Sequence, residues 1–226
     1  MPIGKNLAVI EMSGLAQQKN LGEHAYDRLL DLMLTGTLPA GTALQERRLA
    51  DVLAISRTPI REALGRLEAE GLISRQAGRL LLVKEFTVRE FIEILHVRQV
   101  IETESAGLTA RRPPIAELAE TRAMILGLMS GGEPSATDHW VVDDRLHDLI
   151  AANSGNRMMA TMVRDLRRKT RIFNFKRMPE RFEPGCREHL TIIDAIMRGD
   201  EVAARAAMST HIENVKQSII RKLSEL

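Results

Sequence analysis

The amino-acid sequence predicts a mostly α-helical chain: an N-terminal winged helix-turn-helix followed by an all-α helical bundle. Three observations carry that expectation. Of the 226 residues, 44% are apolar but only 3% aromatic, and the apolar positions are rich in the helix formers Ala, Leu, Ile and Met. Thr42–Val83 runs through one helical period, a short break, a second helical period and two β-like runs around a glycine. Beyond residue 87 the pattern is helical throughout, cut by Pro, Gly and Asn clusters. We divide the chain into residues 1–20, 21–84 and 85–226, within the one or two domains that its length allows.

The first 20 residues, MPIGKNLAVIEMSGLAQQKN, lack strong periodicity and read as a mobile arm. Glu11 interrupts their apolar stretch and no small-residue cleavage site follows, which argues against a secretory signal. No segment reaches the roughly 20 apolar residues needed to span a bilayer, so no membrane partner is expected. A single cysteine, Cys186, excludes an internal disulfide and fits the reducing cytoplasm.

Glu46–Leu53 places Leu49, Ala50 and Leu53 on one stripe, as a short helix requires. Ala54–Ile55–Ser56 breaks it. Ser56 or Thr58 can cap a second helix, with Pro59 in a first turn that does not need its N–H. Ile60, Ala63, Leu64 and Leu67 form the apolar face of that helix, and Gly71 closes it. Thr58 and Arg61 point away from this face, with Arg57 on its flank. Two helices joined by a short turn, the second exposing arginines at i and i+4, match the geometry that reads a major groove. Leu72–Ser74 and Leu80–Lys84 then read as two strands joined around Arg75–Arg79, with Gly78 permitting the turn. That is a wing.

Charge agrees through its placement. The whole chain carries only +2, too little to attract polyanions in bulk. Between Arg47 and Arg79, however, seven arginines stand against four acids, a local +3. All the cations there are arginine, whose guanidinium pairs bidentately with guanine O6 and N7.

This segment resembles the DNA-binding domain of the GntR family of bacterial transcription regulators. The resemblance runs from about Leu21 to Val83. It rests on the Gly36, Leu38, Gly41 entry, on the Ser56–Ile73 run SRTPIREALGRLEAEGLI and on the wing glycine. It implies that Arg47, Arg57 and Arg61 lie on DNA beside Ser56 and Thr58, with Gly78 and Arg79 in the minor groove. The chain departs from relatives at Leu80-Leu81-Leu82, where further Gly or polar residues are common.

Six helices are expected after the wing: Val88–Arg111, Ile115–Ser130, Ala136–Asn153, Arg157–Phe173, Cys186–Arg198 and Glu201–Leu223. Breaks fall at Pro113–Pro114, Gly131–Pro134, Ser154–Asn156, Pro179–Pro184 and Gly199–Asp200. Three histidines share faces with core residues. His147 lies with Asp143, Ile150 and Ala151, His189 with Ile192, Ile193 and Ile196, and His211 with Ala204, Ala207, Met208 and Val215. A lone histidine in such a place is ordinarily a hydrogen-bonded core residue. Three on separate helices, with a carboxylate at i−4 of one, supply an N3O set suited to Zn²⁺, Ni²⁺, Mn²⁺ or Fe²⁺.

The same residues resemble the FCD-type effector domain of the FadR branch of that family. The match rests on Asp143-x-x-x-His147 before Asn153–Asn156, on Glu188–His189, and on His211 after Arg198–Ala204. Six helices are closer to the shorter FCD subtype, and Leu146 replaces the usual aromatic residue before the first metal histidine. The resemblance implies a divalent metal on Asp143, His147, His189 and His211, and beside it a small organic-acid effector. Arg98 lies on an otherwise apolar face with Glu102 one turn on. It either pairs internally with Glu102 or clamps the effector's carboxylate, as the matching arginine does in relatives. The cluster Arg164, Arg167, Arg168 and Arg171 reads mainly as a solvated face, though one of the four could reach the cavity.

The resulting expectation is a cytoplasmic, homodimeric, ligand-responsive repressor reading a pseudo-palindromic double-stranded operator. It is not expected to be an enzyme. A metal-responsive regulator, in which the ion is itself the signal, and a metalloenzyme activating water at the same residues are the competing readings.

Overall fold

The computed structural model describes residues 21–131, 136–173 and 179–224. Residues 1–20, expected as an arm, lie outside the described residues. Contacts divide the chain into two compact units, Met1–Glu85 and Phe86–Leu226.

In the first unit a helix over residues 21–34 (α1) precedes strand β1 (Ala43–Leu44), α2 (Glu46–Leu53) and α3 (Arg57–Ala69). Two further strands follow, β2 (Ile73–Gln76) and β3 (Leu80–Val83). The sheet order is β1-β3-β2, antiparallel throughout, with Leu44 opposite Leu81 and Ile73 opposite Val83. Leu81 and Val83 alternate inward with Leu80 outward, so the unusual leucine run serves a period-2 strand with one buried face. Tyr26, Leu29 and Met33 of α1 are buried, as are Ile60, Leu64 and Leu67 of α3. Sequence reading had assigned neither α1 nor β1, and its strand bounds were shifted. The observed wing turn is Ala77–Arg79, closed by Arg79 N–H donating to Gln76 C=O. Ala77 and Gly78 there both adopt positive φ (46° and 72°), the hand that suits strand twist.

The second unit holds six helices among the described residues: α4 (Val88–Ala110), α5 (Ile115–Ser130), α6 (Ala136–Asn153), α7 (Arg157–Phe173), α8 (Phe182–Met197) and α9 (Glu201–Ser224). Helix α4 starts on a capping box in which Thr87 Oγ1 accepts from the Glu90 N–H and Glu90 reaches back to the Thr87 N–H. Helix α8 begins four residues before the expected Cys186. Pro184 had been read as a breaker, but it lies in the first turn, where a helix needs no N–H from it. Leu118, Leu146, Ile192, Ile193, Met208 and Ile212 pack in one buried core. No described helix is long and apolar enough to cross a membrane.

Candidate DNA-reading face and candidate metal centre

Ser56 occupies the N-cap of α3 in an extended conformation, but its side chain makes no capping bond, and Thr58 lies inside the helix. Burial of Ile60, Ala63, Leu64 and Leu67 orients the helix, so Arg57, Thr58 and Arg61 are left exposed. Arg47 on α2 and Gly78 and Arg79 on the wing are exposed as well. A Cβ on Gly78 would meet nothing within 4 Å, so positive φ rather than crowding is the reason for glycine there.

Sequence reading did not single out Glu46. Its carboxylate accepts from Arg61 Nε and Nη2 at 3.0–3.2 Å and from Arg57 Nη2 at 3.4 Å. The Arg61 hydrogen bond holds the Glu46 carboxyl below its ordinary range. One acid at the start of α2 therefore joins two of the three exposed arginines of α3, Arg57 and Arg61. Nothing in its spacing marks it, because the pair forms only once the two helices cross. Arg66 and Arg75 also pair, with Glu70 and Glu68, whereas Arg47 and Arg79 have no carboxylate partner among the described residues.

In the second unit, α6 carries Asp143 and His147, α8 carries His189, and α9 carries His211. One ligand atom from each of the four lies within 4.8 Å of all the others. His189 Nε2 is 3.3 Å from both His211 Nε2 and Asp143 Oδ1. His147 Nε2 is 3.9 Å from Asp143 Oδ1 and, though buried, has no hydrogen-bond partner.

The outer nitrogens explain the orientation. His147 Nδ1 bonds Glu102, and His211 Nδ1 lies 2.8 Å from Glu188 Oε2. Each carboxylate accepts the Nδ1 proton, which leaves the Nε2 lone pairs turned inward on one another. An orphaned buried nitrogen, two facing imidazole nitrogens and one carboxylate oxygen fit a divalent cation better than a closed hydrogen-bond network. Glu102 and Glu188 were not assigned this part from sequence; Glu188 sits beside a metal histidine, but no spacing rule pairs it with His211.

Electrostatics follow from burial and partners. Burial pushes His147 down to about 4, with Arg167 adding to it and Glu102 opposing. Burial likewise holds His189 well below the ordinary imidazole value. Burial alone would raise Asp143, but Arg167 and then His147 and His189 outweigh it and hold the carboxyl well down. Burial also opposes ionisation of Glu188, yet bonds from His211 and Arg181 lower it to about 2. These charge states suit cation binding: His147 and His189 neutral, Asp143 and Glu188 ionised.

A cavity adjoins the cluster, with Asp143, His189 and His211 in its wall. Arg98 lines it too, only 6% exposed. Its Nε donates to Glu102 Oε1 at 2.6 Å and its Nη1 to Thr170 Oγ1 at 3.1 Å. Its Nη2 makes no hydrogen bond among the described residues. The internal pair with Glu102 therefore forms, and it occupies only one of the three guanidinium nitrogens. Arg167 is the member of its arginine cluster that reaches the cavity: it is buried, lines the wall and bonds Asp143 and Asp144. Four arginines at helical spacing looked like a surface stripe; the acids that draw Arg167 inward lie on a different helix.

A winged helix-turn-helix with exposed arginines, carried on the same chain as a separate helical unit, defines a DNA-binding regulator. Residues 21–83 match the bacterial regulatory proteins of the gntR family, and residues 93–214, over half the chain, match the FCD domain. The chain belongs to the GntR family of transcription regulators, with an FCD domain, and so to regulators rather than enzymes. It is similar to the Nta operon transcriptional regulator of Aminobacter aminovorans, 26% identical with 82% of this chain and 90% of that protein covered. It is also 28% identical to the putative L-lactate dehydrogenase operon regulatory protein of Escherichia coli K12, covering 90% of this chain and 88% of that one. The structure of E. coli McbR/YncC shares the fold, with a TM-score of 0.77 at 20% identity, over 90% of this chain and 98% of that one.

Proposed function

We propose that this regulator is a homodimeric, effector-responsive repressor whose helical unit holds a divalent transition metal and senses a small organic acid. The observation that carries the reading is the orphaned Nε2 of His147 among two further inward Nε2 atoms and Asp143. Asp143, His147, His189 and His211 would be the ligands, with Glu102 and Glu188 orienting two of the imidazoles. A divalent ion bound there supplies a Lewis-acidic centre for a carboxylate oxygen. Arg98, with Nη2 uncommitted beside that centre, gives the second point of attachment for the same acid. A cavity against the cluster favours an acid effector over a purely metal-responsive switch. The name of the E. coli relative, tied to an L-lactate dehydrogenase operon, agrees with control by an organic acid.

On the DNA side, Arg47, Ser56, Thr58, Arg57 and Arg61 would face the major groove, and Gly78 and Arg79 the minor groove. A twofold dimer would read a pseudo-palindrome. Effector and operator would weaken each other's binding by one and the same factor, as linkage requires of an inducer.

Elemental analysis with native mass spectrometry on gently purified protein tests the metal assignment. About one transition metal per chain is expected from a single four-ligand site. His189→Ala should lower metal content and blunt effector response while ligand-free operator binding persists. Normal metal content in that variant would overturn the ligand assignment.

A further inference from the structure

The chain has seven aromatic residues, five Phe, one Trp and one Tyr. Three of them, Phe91, Trp140 and Phe182, line the cavity beside the metal cluster. A chain this poor in aromatics has placed its sole tryptophan there with two phenylalanines. The rings are also organised. His139 packs edge-on against Trp140 and against Phe182, with centroids 5.6 and 5.5 Å apart, so α6 and α8 present a joined aromatic wall. Along each helix the ring precedes a polar cavity residue at fixed spacing. Phe91 lies seven residues before Arg98, Phe182 seven before His189, and Trp140 three before Asp143. Those separations are about 10 and 5 Å of helix rise, so each ring lies one to two turns along its helix from a polar residue of the cavity.

Three arginines line the same cavity. Arg181 spends both terminal nitrogens on Glu188, at 3.0 and 2.6 Å. Arg167 bonds two carboxylates through a single nitrogen, and its buried Nε has no hydrogen-bond partner. Arg98 holds Glu102 through Nε and Thr170 through Nη1, and its Nη2 makes no hydrogen bond among the described residues.

We propose that the effector is a chelating acid with a flat apolar body, an aryl-bearing 2-hydroxy or 2-oxo acid. This rests on the acid-sensing reading above. The carboxylate and the 2-oxygen face the metal ligands, the second carboxylate oxygen meets Arg98, and the ring lies against Trp140 and Phe182.

The test keeps the acid head constant. Metal-loaded, full-length protein is titrated calorimetrically with 3-phenyllactate, lactate and malate, which differ only in a benzyl, methyl or carboxymethyl group. Metal content is measured on each sample. Phenyllactate should bind about tenfold or more tighter than lactate or malate, as burial of a ring implies. Trp140→Leu, with its fold checked by circular dichroism, should remove most of that advantage and leave lactate binding unchanged. Malate binding as tightly as phenyllactate would overturn the inference while the acid-sensing reading stands. Equal weakening of all three acids in Trp140→Leu would overturn it as well. Failure of all three to bind fully metal-loaded protein would overturn the acid-sensing reading itself.

Discussion

Acidifying the metal-free protein should unfold its helical unit in a window set by the buried histidines. His147 is pushed down to about 4 and His189 lies well below its ordinary value. An unfolded imidazole titrates near 6.5, so between about pH 6.5 and 4.5 the unfolded chain binds protons that the folded one refuses. The sign follows directly. This stability is present above about pH 6.5 and is lost as pH falls towards the folded values. For His147 alone the loss is on the order of 2–3 kcal/mol by pH 4.5, and His189 adds to it in the same direction. A total stability of roughly 5–15 kcal/mol makes that a large fraction. The carboxylates do not confuse the window. Asp143, Glu102 and Glu188 are all lowered, so their contributions fade only below the ordinary carboxylate range, near pH 4. Urea unfolding at pH 7, 6, 5 and 4.5, followed by fluorescence of Trp140, reports on this unit because Trp140 is the chain's one tryptophan. The slope should exceed the ~1.4 kcal/mol per pH unit of a single proton, and His189→Gln should flatten it. A midpoint unchanged from pH 7 to 5, or rising on acidification, would mean that the imidazoles are charged in the fold. The inward lone pairs would then not exist.

Three further outcomes follow from particular contacts. Arg61→Ala should weaken specific operator binding by about one to two orders of magnitude and relax base preference at one position, read by competition binding; unchanged specificity would remove Arg61 from the reading set. Glu46→Gln should free Arg57 and Arg61, steepening by about one unit the slope of log affinity against log salt on random-sequence DNA. An unaltered slope would show that these pairs already dissolve on DNA. Leu146→Ala empties a fully buried site in the helical core and should cost about 2–5 kcal/mol in urea unfolding. A loss under 1 kcal/mol would mean that the core collapses around it.

The helical unit was unusually legible. Five of its six helices start where their turn residues predicted, and the four metal-candidate side chains do converge. The wing was legible in kind but not in register. Sequence periodicity is weak over four residues, and β1, at two residues, carries no periodic signal at all. Helix α1 went unassigned although Tyr26, Leu29, Leu30 and Met33 mark its buried face. Its neighbour residues 1–20 drew attention as an aperiodic arm.

The sequence by itself determined what local rules govern: helix lengths, the exposed Thr58 and Arg61, and the inward face of each histidine. These depend on the 3.6-residue period and on turn chemistry, which act within a few residues. Only the tertiary structure decided which partners meet. Glu46 reaches across to α3, Glu102 from α4 orients His147, and Glu188 from α8 orients His211. Arg167 turns inward onto acids of α6, and three aromatics from three helices gather on one cavity. Such pairings are set by how helices pack, and no spacing along the chain encodes a contact between residues a hundred positions apart.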